Sequence, residues 1–265
     1  MSVSRALMVI LLVVSSFSIT LVSAETKPIL RVGLSDNFAP FYYRDENGDF
    51  KGASYEIVTH VAKSLGYDIA VTQLSSLGMV LAGLDSGQVD LCVNLTDTLE
   101  RREVAVFTSI PHIYESAHLI VRKDSPISFN GDLNTLLDYR FGPIVDWTFG
   151  AEFDGNDSLK KVYVNNSTEQ IQGLLAGRFD IALNNPQFYE HHSKSLNLNH
   201  PFRVLEPALF NLPVSVGVSK RYGGADTLIQ ELDDAIASFI HQPEYRAILE
   251  KYGFIDQAKR VTVEP

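Results

Sequence analysis

Little in this chain is arranged for bond-breaking chemistry. The signatures Gly-x-Ser-x-Gly, His-Glu-x-x-His and Cys-x-x-Cys are absent. His191 and His192 are adjacent. Neighbouring side chains on a helix diverge by about 100°, so the pair reads as surface residues rather than as metal ligands. Cys92, the only cysteine, lies in the apolar run Val89–Val93 and reads as a small buried hydrophobe, not a nucleophile. What the chain does offer is neutral hydrogen-bonding chemistry at the ends of two apolar runs, Asn94-Leu95-Thr96 and Asn184-Asn185. Ligands of open α/β sheets sit beyond the carboxyl ends of the strands. If two lobes face one another, both sets of polar groups meet in one cleft.

A phrase that occurs twice must position them. Residues 84–91 read Leu-Asp-Ser-Gly-Gln-Val-Asp-Leu and residues 174–181 read Leu-Leu-Ala-Gly-Arg-Phe-Asp-Ile. In each, a helix ends at a glycine, Gly87 or Gly177, where a left-handed conformation is cheap. An Asp and a short apolar run then enter a buried parallel sheet. The repeat predicts two similar α/β lobes.

The rest of the pattern agrees. Leu30–Gly33 is a strand, Ser35–Gly52 a polar and aromatic loop with a turn at Asn47-Gly48, and Ser54–Leu65 a helix with Ser54 as its cap and Gly66 as its stop. Ile69–Val71 is a strand, Leu77–Leu84 a helix and Val89–Val93 a buried strand, a βαβαβ order that requires right-handed crossovers. After the strand His118–Val121, the polar stretch Arg122–Pro126 reads as the first passage between lobes. Ser167-Thr168-Glu169-Gln170 is a capping-box pattern before the helix Glu169–Ala176. Ile181–Leu183 is the following strand, and Asn185–Ser195 a helix with Pro186 in its first turn. Leu212–Val218 returns the chain to the first lobe, which Thr227–Ile240 and Gln242–Tyr252 close as helices. Two crossings make a hinge that permits closure.

Ahead of this lies an apolar stretch, Ala6–Val22, behind a single charge, Arg5, and before the small residues Val22-Ser23-Ala24. It reads as a secretory signal peptide over 1–24 with no cysteine to carry a lipid. A formal charge of −10 disfavours nucleic acid and anionic membrane as partners. One cysteine allows no internal disulfide.

Leu30-Arg31-Val32-Gly33, Phe38-Ala39-Pro40-Phe41, Gly52, the phrase at 84–91, Thr98-Leu99-Glu100-Arg101-Arg102 and Tyr252-Gly253-Phe254 occur in this order across residues 29–254. Together they resemble the extracellular solute-binding proteins that include the polar-amino-acid receptors of bacterial ABC importers. The resemblance implies an α/β, two-lobed periplasmic-binding-protein fold of type II, with two hinge crossings and a ligand cleft between lobes. Lobe one would be 25–121 with 214–265, and lobe two 122–213. It implies a periplasmic, monomeric protein that captures a small carboxylate-bearing ligand, an amino acid or related compound, for a membrane permease, with no cofactor and no catalysis.

Residue by residue, the resemblance gives Arg101 the ligand carboxylate, Thr96 a hydroxyl or backbone donor, and Asn94 a backbone carbonyl that accepts from the ligand. An Arg fork suits a carboxylate. Phe38 would pack on the ligand or anchor its own loop. Leu77 would form the wall or the core. Trp147 and Thr148 would touch the ligand from lobe two, although a lone Trp also serves as a packing anchor. The sequence departs from the pattern at Asn184-Asn185, where the amino-acid receptors usually place an Asp for the ligand ammonium. Asn185 cannot neutralise a buried ammonium, so Asp146, or more remotely Glu115, takes that role, or the ligand lacks the amine. The alternatives are a cyclohexadienyl dehydratase-like enzyme on the same scaffold and a ligand-sensing partner of a membrane receptor.

Overall fold

A computed structural model of the chain describes residues 27–35, 37–195 and 198–254. The expected signal peptide at 1–24 lies outside the described residues. In chain order the first elements are β1 (Ile29–Leu34), β2 (Tyr43–Arg44), β3 (Phe50–Lys51), α1 (Ala53–Ser64), β4 (Asp68–Gln73), α2 (Leu77–Ser86) and β5 (Leu91–Leu95). A 3-10 turn (Arg101–Glu103), β6 (Ala105–Phe107) and β7 (Ile113–Arg122) follow. Then come a second 3-10 turn (Leu133–Leu136), β8 (Arg140–Gly142), α3 (Ala151–Asp154), β9 (Lys160–Lys161), α4 (Ser167–Leu175), β10 (Ile181–Asn184) and α5 (Pro186–Ser195). β11 (Phe202–Ser219), α6 (Ala225–Phe239) and α7 (Pro243–Lys251) complete the described chain.

Nine of the described strands form one mixed sheet in the order β4-β1-β5-β11-β7-β10-β8-β9, with β6 also on β11, and β2 pairs with β3 as a separate antiparallel ribbon. At one end β1 runs parallel to β4 and β5, and at the other β8 runs parallel to β10 and β9. The antiparallel pair β7 and β11 joins these trios. β11 reaches β5 and β6 through Ser215–Ser219 and β7 through residues 202–205 and 210–214. This is the expected two-lobed α/β fold with two crossing strands. The returning strand begins ten residues earlier than Leu212, where its hydropathy alternates too weakly to announce it.

The repeated phrase is built alike in both copies. Gly87 and Gly177 end their helices at φ 73° and 70°. The Asp that follows each takes on a neighbouring strand. Asp90 N–H donates to the Arg31 carbonyl at 2.7 Å, while its carboxylate accepts the Arg31 backbone N–H at 2.8 Å and the guanidinium. Asp180 does the same with Arg140, at 2.9 and 3.0 Å for the two backbone bonds. Each Asp thus completes the ladder where two parallel strands begin. The structure also shows a second echo that the sequence reading passed over, Arg31-Val32-Gly33 against Arg140-Phe141-Gly142, with Val32 opposite Leu91 and Phe141 opposite Ile181. Asp90 is 4% exposed. Asp90→Ala orphans a backbone N–H and is expected to destabilise the fold by about 1–3 kcal/mol, read as a lower urea midpoint; the more exposed Asp180→Ala should lose less. Equal loss at the two sites, or none, would count against this role.

Two capping expectations shift. α1 starts after Gly52, whose φ of 124° demands glycine, and not at Ser54. Ser54 is instead fully buried, and its hydroxyl donates to Asn94 Oδ1 at 2.6 Å. α4 is capped one residue earlier than expected. Asn166 Oδ1 accepts the Glu169 N–H, while the Glu169 carboxylate accepts from Asn165. Asn serves as well as Ser at this position. The apolar face of α1, Ile57, Val58, Val61 and Ala62, and that of α6, Leu228, Leu232, Ile236 and Phe239, are buried in the largest core. A second core, around Phe141, Phe149, Phe153 and Ile181, supports the other end of the sheet. Cys92 is buried, and desolvation pushes its thiol up to about 11, consistent with an inert hydrophobe.

Candidate functional site

The carboxyl ends of β1 and β5 open onto a cleft whose opposite wall is the loop after β8. From one side it is lined by Ser35, Phe38, Tyr42, Leu77, Asn94, Leu95, Thr96 and Arg101. From the other come Trp147 and Thr148, and the crossing strands contribute Glu115 and Leu212. Glu115 and Leu212 are register partners on β7 and β11. The site therefore straddles the only described connections between the two ends of the sheet.

Arg101 is placed by the short 3-10 turn that Thr98 opens, with Thr98 Oγ1 accepting the Arg101 N–H at 3.2 Å. Its side chain is almost wholly buried. One guanidinium nitrogen donates to the Thr96 carbonyl at 3.0 Å and another reaches across to the Asp146 carbonyl at 2.6 Å. Burial lowers its pKa from the ordinary value, but an arginine stays charged in a protein. Asp146 has a φ of 65°, unusual for a residue with a Cβ, and this turns its carbonyl toward Arg101. A Cβ on Gly78, in the first turn of α2, would lie 2.3 Å from Asp146 Oδ2. The Asp146 carboxylate therefore sits against a helix N-terminus, where negative charge is favoured.

Phe38 is both wall and anchor. It stacks on Phe41 at 4.9 Å, meets Trp147 edge-on at 4.8 Å and lies 5.5 Å from Phe188 on α5. Aromatic packing thus joins the two sides of the cleft. Thr148 lines the cleft while its hydroxyl donates to Asp154 at 2.6 Å. Ser35 and Tyr42 share a hydroxyl hydrogen bond of 2.6 Å on the first side. No pattern marked either of these two residues, because the loop that brings them together is irregular.

Of the residues singled out in the sequence, Phe38, Leu77, Asn94, Thr96, Arg101, Trp147 and Thr148 come together here. Asn185 does not line the cleft. It is 1% exposed; its amide donates to the Ser116 carbonyl at 3.1 Å and its Oδ1 accepts the Gln187 N–H at 2.9 Å, capping α5. Asn184 is equally buried and donates to Gln170 Oε1 at 2.8 Å. Both amides are engaged by these partners, so the two polar strand ends do not meet. The acid in the cleft is Glu115. Part of its surface opens onto the cleft, but the surrounding protein drives its carboxyl up to about 7, against the pull of the Asn94 amide and the Arg101 charge. The signal available in the sequence was a lone acid within an otherwise uncharged stretch of the crossing strand.

Comparison with known proteins places this geometry in context. The model of the bacterial extracellular solute-binding proteins, family 3, matches residues 30–255. The L-cystine-binding protein TcyJ of Escherichia coli (strain K12) is 26% identical over 239 residues, which span 87% of this chain and 84% of TcyJ. The probable ABC transporter extracellular-binding protein YckB of Bacillus subtilis is 31% identical over 160 residues, 58% of this chain and 54% of YckB. Among solved structures, an ancestral arginine-binding protein bound to arginine superposes with a TM-score of 0.73 at 24% identity, covering 85% of this chain and 98% of that one. The ancestral amino acid-binding protein AncCDT-1, a precursor of cyclohexadienyl dehydratase, gives 0.70 at 20% identity over 84% and 95%. These structural likenesses show the fold.

Proposed function

Because the chain belongs to the bacterial extracellular solute-binding proteins of family 3, we propose that its cleft captures a small carboxylate-bearing solute, an amino acid or a close relative, and delivers it to the permease of an ABC importer. One observation carries this reading. Arg101 is a buried guanidinium aimed into the cleft, and its described hydrogen bonds go to neutral carbonyl oxygens, not to an acid. A buried cation held by neutral groups favours an incoming anion, and a guanidinium fork favours a carboxylate. The relatives support the class of solute, since TcyJ is a cystine-binding protein and the ancestral protein was bound to arginine.

The working cycle of this reading is capture between two lobes. In this reading the described residues of 25–121 and 214–265 make up one lobe and those of 122–213 the other, with β7 and β11 crossing between them as the hinge. Solute enters the open cleft, meets Thr96 and Arg101 first, and closure adds Trp147 and Thr148. Water leaves, which strengthens the charged hydrogen bonds. The closed form is what the permease recognises. The protein acts as a periplasmic monomer, exported by its leader, and the cycle is capture and release with no turnover.

A thermal-shift screen of the purified protein tests it, using L-amino acids, L-cystine and matched carboxylates without an amine. A solute at 100 times its Kd adds about 2.7 kcal/mol of stability. The expected result is a clear rise in Tm with at least one carboxylate, matched by a change in emission of Trp147, the only tryptophan. No response to any carboxylate in either readout would sink the proposal.

A further inference from the structure

We propose that Glu115, on the crossing strand β7, is the acid that receives an ammonium group of the captured solute, so that the site selects zwitterions over simple carboxylates. This rests on the reading of Arg101 as the carboxylate receptor. The cleft holds one cationic and one acidic lining side chain, Arg101 and Glu115, and no ion pair joins Glu115 to any described residue. The two charges interact through space without closing on each other. A carboxylate without an ion-pair partner in an enclosed site carries a desolvation cost that a proton or an incoming cation offsets. A solute bearing both charges supplies that cation at the moment Arg101 takes its other end.

The surrounding structure fixes Glu115 in this role. Its neighbour Ser116 is held through the carbonyl by Asn185, and β7 is paired on both sides, by β11 and β10. The strand is therefore pinned in the register that turns Glu115 to the cleft beside Leu212. On the open side the Asn94 amide faces it, and Asn94 is itself oriented by the buried Ser54 hydroxyl. Asn184 and Asn185, whose amides are engaged elsewhere, offer no competing acid. Desolvation by the surrounding protein raises the Glu115 carboxyl to about 7, so below that pH it holds a proton. Binding an ammonium requires that proton to leave. Affinity for an amino acid should then weaken about tenfold for each pH unit below that value. Tyr42 and Arg101 on the cleft walls and Asp146 at its rim are the other titratable groups close by, and a Glu115→Gln control subtracts them.

The test measures Kd by Trp147 fluorescence and calorimetry for three matched pairs: L-arginine with 5-guanidinopentanoate, L-glutamine with glutaramate, and L-cystine with 3,3′-dithiodipropionate. In the wild-type protein at least one amino acid should bind 100-fold or more tighter than its partner without the amine. Glu115→Gln should collapse that ratio to within about tenfold, chiefly by weakening the amino acid, with the pH dependence below 7 abolished. Glu115→Asp should restore part of the preference. A Glu115→Gln protein that keeps both the preference and the pH slope overturns the assignment while the Arg101 reading stands. Wild-type protein that binds the amine-free acids as tightly as the amino acids also overturns it. Wild-type protein that binds no carboxylate, in these pairs or in the wider screen, overturns the Arg101 reading, and this assignment falls with it. If the Gln variant fails to fold, the pH slope of the wild-type protein decides, since an affinity flat between pH 5 and 7 excludes the proton release.

Discussion

Arg101→Ala should weaken binding of any carboxylate solute by about 100-fold or more and leave a folded protein behind. Two charge-assisted hydrogen bonds to a carboxylate are each worth about 1.5–3 kcal/mol when made in an enclosed site. Loss of the pair therefore shifts Kd by two orders of magnitude or more. The two carbonyls that Arg101 now serves, on Thr96 and Asp146, lie near the surface, where water replaces the donor. Loss of the buried aliphatic stem lowers stability by about 1–2 kcal/mol. Arg101→Lys should fall between, because a point charge on a flexible stem keeps the attraction and loses the fork. Titration followed by Trp147 emission separates these effects, with the urea midpoint reporting the fold. If Arg101→Ala kept wild-type Kd for a carboxylate, the receptor would lie elsewhere on the cleft wall.

Arg101 was legible because a local motif, Thr-x-x-Arg after a strand, determines where it sits. Phe38, Leu77, Asn94 and Thr96 are likewise one short step from β1, α2 or β5, and local chemistry brings them to the cleft rim. Asn185 failed for the opposite reason. Its position at a strand end was read correctly, but the direction of its amide is decided by β7, a strand distant in sequence that presents the Ser116 carbonyl. Glu115 is only a remote candidate from sequence, since a charged residue in a strand does not declare which face looks onto a cleft. The same divide runs through the fold. Helices and parallel strands follow from hydrophobic period and glycine stops. The long β11 does not, because its first half is only partly buried and pairs with β7 across a break between Leu205 and Phe210.

The largest loss of stability is expected from Gly142→Ala. In each lobe the repeated phrase carries one apolar residue, Val89 or Phe179, just before its Asp, and that side chain is wedged between two glycines. Val89 is in contact range of ideal Cβ positions on Gly33 and Gly83, at 3.0 and 3.2 Å. Phe179 is larger and leaves no such room. A Cβ on Gly142 would fall 2.3 Å from its ring, and one on Gly173 2.6 Å. The ring is fully buried and held between β8 and α4, so it cannot swing clear. Overpacking of this kind costs about 1–3 kcal/mol in ordinary cores, and contacts this short place Gly142→Ala at or above about 3 kcal/mol, with Gly33→Ala near 1 kcal/mol or below. Phe179→Val should also destabilise by about 1–3 kcal/mol through the cavity it leaves. Yet in the pair Gly142→Ala with Phe179→Val the smaller side chain makes room for the added methyl, and the double variant should be more stable than Gly142→Ala alone. That sign is the test. A double variant whose urea midpoint falls by the sum of the single losses would show that the two glycines are not there for the ring, and that the likeness between the lobes stops at the Asp and Arg ties.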